Sequence, residues 1–180
     1  MKNIAFKIDN MFKKVFITAL VLFLTLSCER QNNQSKLENI YTNHISTFIE
    51  TCWNKKNLLP LNEIVDNDSY TREVNNVTII SNLNELEANM KVTFTGFPDL
   101  FVTINEITFN ENKAYLHWTF SGTNTGVYGE NPATGKKVLV KGFTIVHYNT
   151  DGQIFHEDVH YNELELLQQL GYILTPPNVE

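Results

Sequence analysis

Four of the five histidines, His117, His147, His156 and His160, fall in one stretch of strand-like sequence. Imidazole is the side chain whose charge ordinarily changes between pH 5 and 8, so each is a candidate acid or base. His156-x-Asp158-x-His160 also sets a carboxylate between two imidazoles, a ligand set that suits transition metals. Along one strand, however, residues two apart are separated by about 7 Å. Three such side chains do not converge on one ion with bonds near ~2 Å, so no metal is expected and a pocket-lining or solvated polar face is the simpler reading. Beyond Cys28 the only cysteine is Cys52, which excludes a disulfide framework. No Cys-x-x-Cys, Walker loop, G-x-G-x-x-G or G-x-S-x-G is present.

The N-terminus bears on location. Lys13 and Lys14 precede an apolar run, Val15 to Leu26, that ends at Ser27-Cys28. A basic patch, an apolar core and a small residue before the cut describe a secretory signal over 1–27. The run falls short of the ~20 residues a spanning helix needs. Leu26-Ser27-Cys28 is similar to a bacterial lipobox, which implies that the Cys28 thiol is lipidated. The chain is then anchored by lipid to the membrane of a bacterial cell envelope, at the outer membrane or the periplasmic face. Met11 would open a shorter signal of the same kind. Residues 28–36, rich in Gln, Asn and Ser, read as a flexible tether, and 176–180 as a tail. The whole chain is formally −6, and the signal carries +3, so the mature protein is about −9 with no basic run. Nucleic acid is therefore not an expected partner.

The remaining 37–175 suit one domain. Ile40, Ile45, Phe48, Ile49 and Trp53 fall near helical spacing and predict an amphipathic helix over Leu37 to Lys55. Pro60 precedes a short helix over Leu61 to Val65, Tyr70 to Val77 reads as a strand, and Leu83 to Met90 as a helix capped by Ser81 or Asn82. After Pro98 the chain is rich in Val, Ile, Thr, Phe and Tyr, with turns at Asn110 to Asn112, Asn131 to Gly135 and Thr150 to Gly152. Four long strands at hairpin spacing follow, then a helix from Asn162 that ends on Gly171. Helices followed by a bent antiparallel sheet make an α+β domain. Period-two alternation sets Trp118 opposite His117, and Ile154, His156, Asp158 and His160 opposite Phe155, Glu157, Val159 and Tyr161. It leaves open which face lines a cavity and which packs elsewhere.

Several phrases recur in order: Phe97-Pro98-Asp99-Leu100, Trp118-Thr-Phe-Ser-Gly-Thr-Asn124-Thr-Gly126, Asn131-Pro-Ala-Thr-Gly-Lys136, Asp151-Gly-Gln-Ile154 and Gln168-Gln-Leu-Gly171. In this order they resemble the SnoaL-like polyketide cyclase (ester cyclase) family, over about residues 37 to 175. The resemblance implies a nuclear transport factor 2-like cone, with N-terminal helices packed on a strongly curved antiparallel sheet around a small-molecule pocket. It implies Trp53, Tyr70, His117, Trp118, Asn124 and Asp158 as pocket residues. It also implies acid–base chemistry without metal or organic cofactor, performed by an aspartate just before the last helix. Asn162 stands at that position, Asn124 where the family carries His, and His156 where it carries Glu. An amide does not shuttle a proton, and such a shuttle is typically worth ~10²–10⁴-fold.

Three readings remain open. One is an envelope-anchored domain that binds a small apolar molecule. The second is a cyclase- or isomerase-like enzyme in which His147, His156 or His160 replaces the aspartate at Asn162. The third is a non-catalytic interaction domain, with a second copy of the chain as homodimer partner. Anchoring is testable at once: full-length protein expressed in a bacterium should take up a fatty-acid analogue and partition into detergent, and Cys28→Ser should do neither. An unlabelled wild type would end the lipoprotein reading.

Overall fold

The structure, a computed structural model, describes residues 34–130, 132–173 and 175. The signal peptide, Cys28, most of the tether, Asn131 and the 176–180 tail lie outside the described residues. The chain divides after Asn39: in the first unit residues 34–39 are helical, and the domain is the second unit, from Ile40 onward. Among the described residues no helix is long and apolar enough to cross a membrane.

Helix α1 occupies 40–54, and its last turns, Thr47–Asn54, are wound as a π-helix. The Lys55 N–H accordingly donates to Glu50 O, five residues back, at 3.2 Å. Ile45, Phe48, Ile49 and Trp53 are buried as the spacing predicts, with Tyr41 and Cys52 beside them, whereas Ile40, expected in the same stripe, is exposed. Helix α2 is Leu61–Ile64. The segment expected as one strand is a hairpin, β1 Thr71–Val74 and β2 Val77–Ile80. Asn75 and Asn76 turn it with φ of 51° and 68°, a pair of left-handed positions that asparagine tolerates and a two-residue hairpin requires.

Helix α3 is Leu83–Gly96, longer than its expected end at Met90. Asn82 caps it, its side chain accepting from Glu85 N at 3.0 Å, while Glu85 accepts from Ser81 N at 2.7 Å. The Val92-Thr-Phe-Thr95 run reads as strand by propensity. Thr93 and Thr95 instead donate their hydroxyls to the carbonyls four residues back, at 3.0 and 2.9 Å, and the helix continues.

Strands β3 Phe101–Asn110, β4 Lys113–Thr123, β5 Lys137–Tyr148 and β6 Ile154–Tyr161 form the expected meander. Helix α4, Glu163–Leu170, closes on Gly171 at φ 99°. The sheet order is β2-β1-β6-β5-β4-β3. All neighbours are antiparallel except β1 and β6, which pair parallel, Thr71 with His156 to Val74 with Val159. The sheet is therefore mixed rather than purely antiparallel, because the early hairpin adds its first strand alongside the last one. Register shifts at Arg72/Glu73, Ile104/Glu106 and His147/Tyr148 bend it.

Side chains clip the helices to strand edges. The Asn54 amide donates to Val102 O at 3.0 Å and accepts from Val102 N at 2.8 Å. Gln169 does the same to Leu139 at 2.9 and 2.7 Å. Each amide thus answers both peptide groups of an edge residue.

Candidate functional site

Strand alternation gives the sheet an inner face, under the helices, and an outer one. On the inner face Leu116, Trp118 and Phe120 of β4 meet Thr144 and Val146 of β5 and Glu157 of β6. Helix α1 lays Phe48, Ile49 and Trp53 over them, and the cavity between is about 90 Å³. Trp53, Arg72, Trp118 and Phe120 also wall an adjoining cavity of about 130 Å³ that reaches Thr93, Tyr128 and Tyr161. Both are small, mostly apolar and share four wall residues. Gly142 lies in register with Trp118, and a Cβ there would run into the indole, so glycine lets the ring lie across β5. The indole Nε1 donates to Thr144 Oγ1 at 2.9 Å.

Among the described residues, Arg72 is the one cation in the wall. Its guanidinium lies over the Trp53 ring, 5.6 Å from the centroid. Nε and Nη1 are shut from solvent and find no hydrogen-bond partner among the described residues. Glu157, 3% exposed, lines the same space and accepts from the Tyr70 hydroxyl. Burial works to lower the Arg72 pKa, but the Glu157 carboxylate and the Tyr70, Tyr161 and Tyr128 hydroxyls outweigh it and the net shift is upward. Burial, reinforced by Glu157, pushes the Tyr70 hydroxyl well above its ordinary value, so it stays a donor.

The expected site residues divide sharply. Trp53 and Trp118 line the cavity, and Trp53 is 8% exposed. Trp118 is only half-buried, because its ring faces the open space. Tyr70, fully buried, reaches the cavity through Glu157. Asn124 is not on the wall. Its amide donates to Gly96 O and Gly126 O at 3.1 and 3.0 Å and accepts from Thr134 N and Oγ1 at 2.8 and 3.0 Å, which ties the two ends of the β4–β5 connection to each other and to the end of α3. Asn162 is exposed and caps α4, accepting from Glu165 N at 3.1 Å.

His117, His147, His156, Asp158 and His160 lie on the outer face, because each is odd to the inward-facing Trp118, Val146, Glu157 and Val159. None lines the cavity. His117 packs beside Phe143, centroids 5.0 Å apart. His147 Nε2 and His156 Nε2 each sit 2.9 Å from one oxygen of Asp158, and His156 Nδ1 sits 2.7 Å from Thr71 Oγ1. Burial outweighs the carboxylate at His147 and lowers its pKa. At Asp158 burial is outweighed by the hydrogen bonds to His156 and His147, and the carboxyl is lowered too. Sequence reasoning missed Arg72 and gave Glu157 no role. The only signal was parity, since Glu157 falls on the face that carries Val159 and Tyr161.

The family model of SnoaL-like polyketide cyclases matches residues 43–170. No curated protein sequence matches the chain. Among solved structures, one named a SnoaL-like polyketide cyclase, from Jannaschia sp. CCS1, superposes with a TM-score of 0.66 at 17% identity, covering 77% of this chain and 94% of its own. A phenazine biosynthesis-related protein from Pseudomonas aeruginosa gives 0.64 at 11%, covering 83% and 96%. TsrD from Streptomyces laurentii gives 0.62 at 20%, covering 76% and 96%. At these identities the likeness is one of fold.

If Asn162 serves α4, Asn162→Ala should lower stability by about 1 kcal/mol in urea unfolding, as loss of an N-cap does, and Asn162→Asp should not. An alanine variant as stable as wild type would remove the capping role.

Proposed function

Because this chain belongs to the SnoaL-like polyketide cyclase family, we propose that it holds a small, largely apolar molecule in the cavity beneath α1 and that lipid on Cys28 keeps it at the cell envelope. The observation that carries the reading is Arg72, set among Trp53, Trp118 and Phe120 with N–H groups that meet no acceptor. A buried donor left unpaired costs about 1–3 kcal/mol, and more when charged. An oxygen on a ligand relieves that cost. Glu157 already supplies the negative charge, so an uncharged acceptor, a carbonyl or hydroxyl on an apolar body, fits best. The surrounding aromatic area supplies the affinity and the polar pair the orientation.

A second reading is favoured by Glu157. A carboxylate in an apolar cavity beside a cation can take a proton from a carbon next to a carbonyl while Arg72 steadies the oxygen, with no cofactor. The histidines lie on the other face of the sheet, so this enzyme reading rests on Glu157 and not on His147, His156 or His160.

Extraction of the purified Cys28→Ser chain, followed by mass spectrometry, should recover one narrow class of apolar, oxygen-bearing compound. Leu116→Trp, which fills the cavity, should lose it. A wild type that retains nothing, and binds no apolar probe competitively, would sink the carrier reading. If the domain is instead an enzyme, wild type should exchange the α-proton of a β-keto ester with solvent deuterium, and Glu157→Gln should abolish the exchange. Exchange at background rate, or exchange that survives Glu157→Gln, would sink that one.

A further inference from the structure

On the outer face, independent of the cavity, we propose that His147, His156 and Asp158 form a binding site for a divalent transition metal ion of the zinc type. The objection from sequence is that His156, Asp158 and His160 are strung along one strand and cannot converge. The β5–β6 register removes it, because His147 lies directly opposite His156 and supplies the third ligand across the strands. His160 takes no part.

The atoms are placed for it. Each Nε2 lies 2.9 Å from an oxygen of Asp158, and the three ligating atoms all lie within 4.8 Å of one another. Around a tetrahedral ion with bonds of about 2.0–2.1 Å, neighbouring ligand atoms stand about 3.3 Å apart. His147 Nε2 meets one oxygen of Asp158 and His156 Nε2 the other, so for a single ligating oxygen one separation is already inside that limit, and side-chain rotations bring the second nitrogen in from within 4.8 Å. His156 is also oriented from behind: its Nδ1 meets Thr71 Oγ1 at 2.7 Å, which turns Nε2 toward the site. That is the outer contact a metal-binding imidazole usually has.

The ligand set names the class of ion. Two imidazoles and one carboxylate suit zinc, copper, nickel or iron rather than calcium or magnesium, which prefer all-oxygen shells. Three protein ligands leave positions for water or for a group from outside. The side chains are 17, 19 and 26% exposed for His147, His156 and Asp158, so an ion can enter from solvent while the site stays partly dry.

The test titrates the full chain carrying Cys28→Ser, which removes a competing thiol, with Co²⁺ and then Zn²⁺. Expected are visible cobalt bands saturating at one ion per chain, displacement by Zn²⁺, and a higher Tm with Zn²⁺. His147→Ala and Asp158→Asn should each weaken binding at least tenfold, and His160→Ala should leave it unchanged. Nitrogen NMR on the unmutated triad guards against variants that fail to fold, since Zn²⁺ should move the Nε2 signals of His147 and His156. Absence of cobalt bands, unmoved imidazole signals, or equal loss in His160→Ala would each overturn the site.

Discussion

The pairing of β5 with β6 is the constraint on which the rest of the domain depends. A pleated strand sends successive side chains to opposite faces, so one register decides the faces of β5 and β6 from Gly142 to His147 and from His156 to Tyr161. With Ile145 opposite Asp158 and Val146 opposite Glu157, Glu157 and Val159 turn inward and Asp158 and the histidines turn outward. A slip of one residue would put two imidazoles in the apolar cavity and Val159 in water. The parallel addition of β1 on the other edge of β6 brings Arg72 level with Glu157. Two residues 85 positions apart thereby become the charged pair of one cavity.

That pair is maintained at a disadvantage. A cation moved out of water is stabilised only if acceptors surround it, and Arg72 has an aromatic face and a nearby carboxylate rather than a full set. A core built only for stability would fill this place with aliphatic side chains. The same space is left open by α1, α3 and the curl of the sheet, and Gly142 lets Trp118 lie flat along its wall. Incomplete packing and incomplete pairing at one spot are what a ligand site requires.

The phrases that mark the family prove to be structural joints. Asp99 accepts from Thr123 N and Oγ1, both at 2.6 Å, and fastens the start of β3 to the end of β4. Asn124 organises the loop that follows, Gln169 clips α4 to β5, and Gly171 ends the helix. Each of these side chains or glycines serves a turn, an edge or a helix end. They therefore report the fold faithfully and the chemistry hardly at all.

Local pattern determined most of the elements: the apolar stripe of α1, the Asn82 cap, the four long strands and the glycine stop of α4 all arise from interactions a few residues apart. It fell short where other local bonds overruled propensity, as at Thr93 and Thr95, whose hydroxyls bond the carbonyls four residues back within α3, and at Tyr70 to Val77, where the Asn75-Asn76 turn split an expected strand. The site belonged almost wholly to tertiary structure. Alternation sorted the β4 and β6 side chains into two sets from sequence alone, except that the register shift at His147/Tyr148 sends Ile154 into the core and leaves Phe155 beside His147, and only the packing of α1 chose which set faces a cavity. Asn124 and Asn162 read as site residues by position in a motif, and their partners show a loop tie and a helix cap. His147 joined His156 and Asp158, and Arg72 joined Glu157, through strand pairings that no local spacing encodes. The sequence alone determined which faces exist; long-range pairing decided what each face holds.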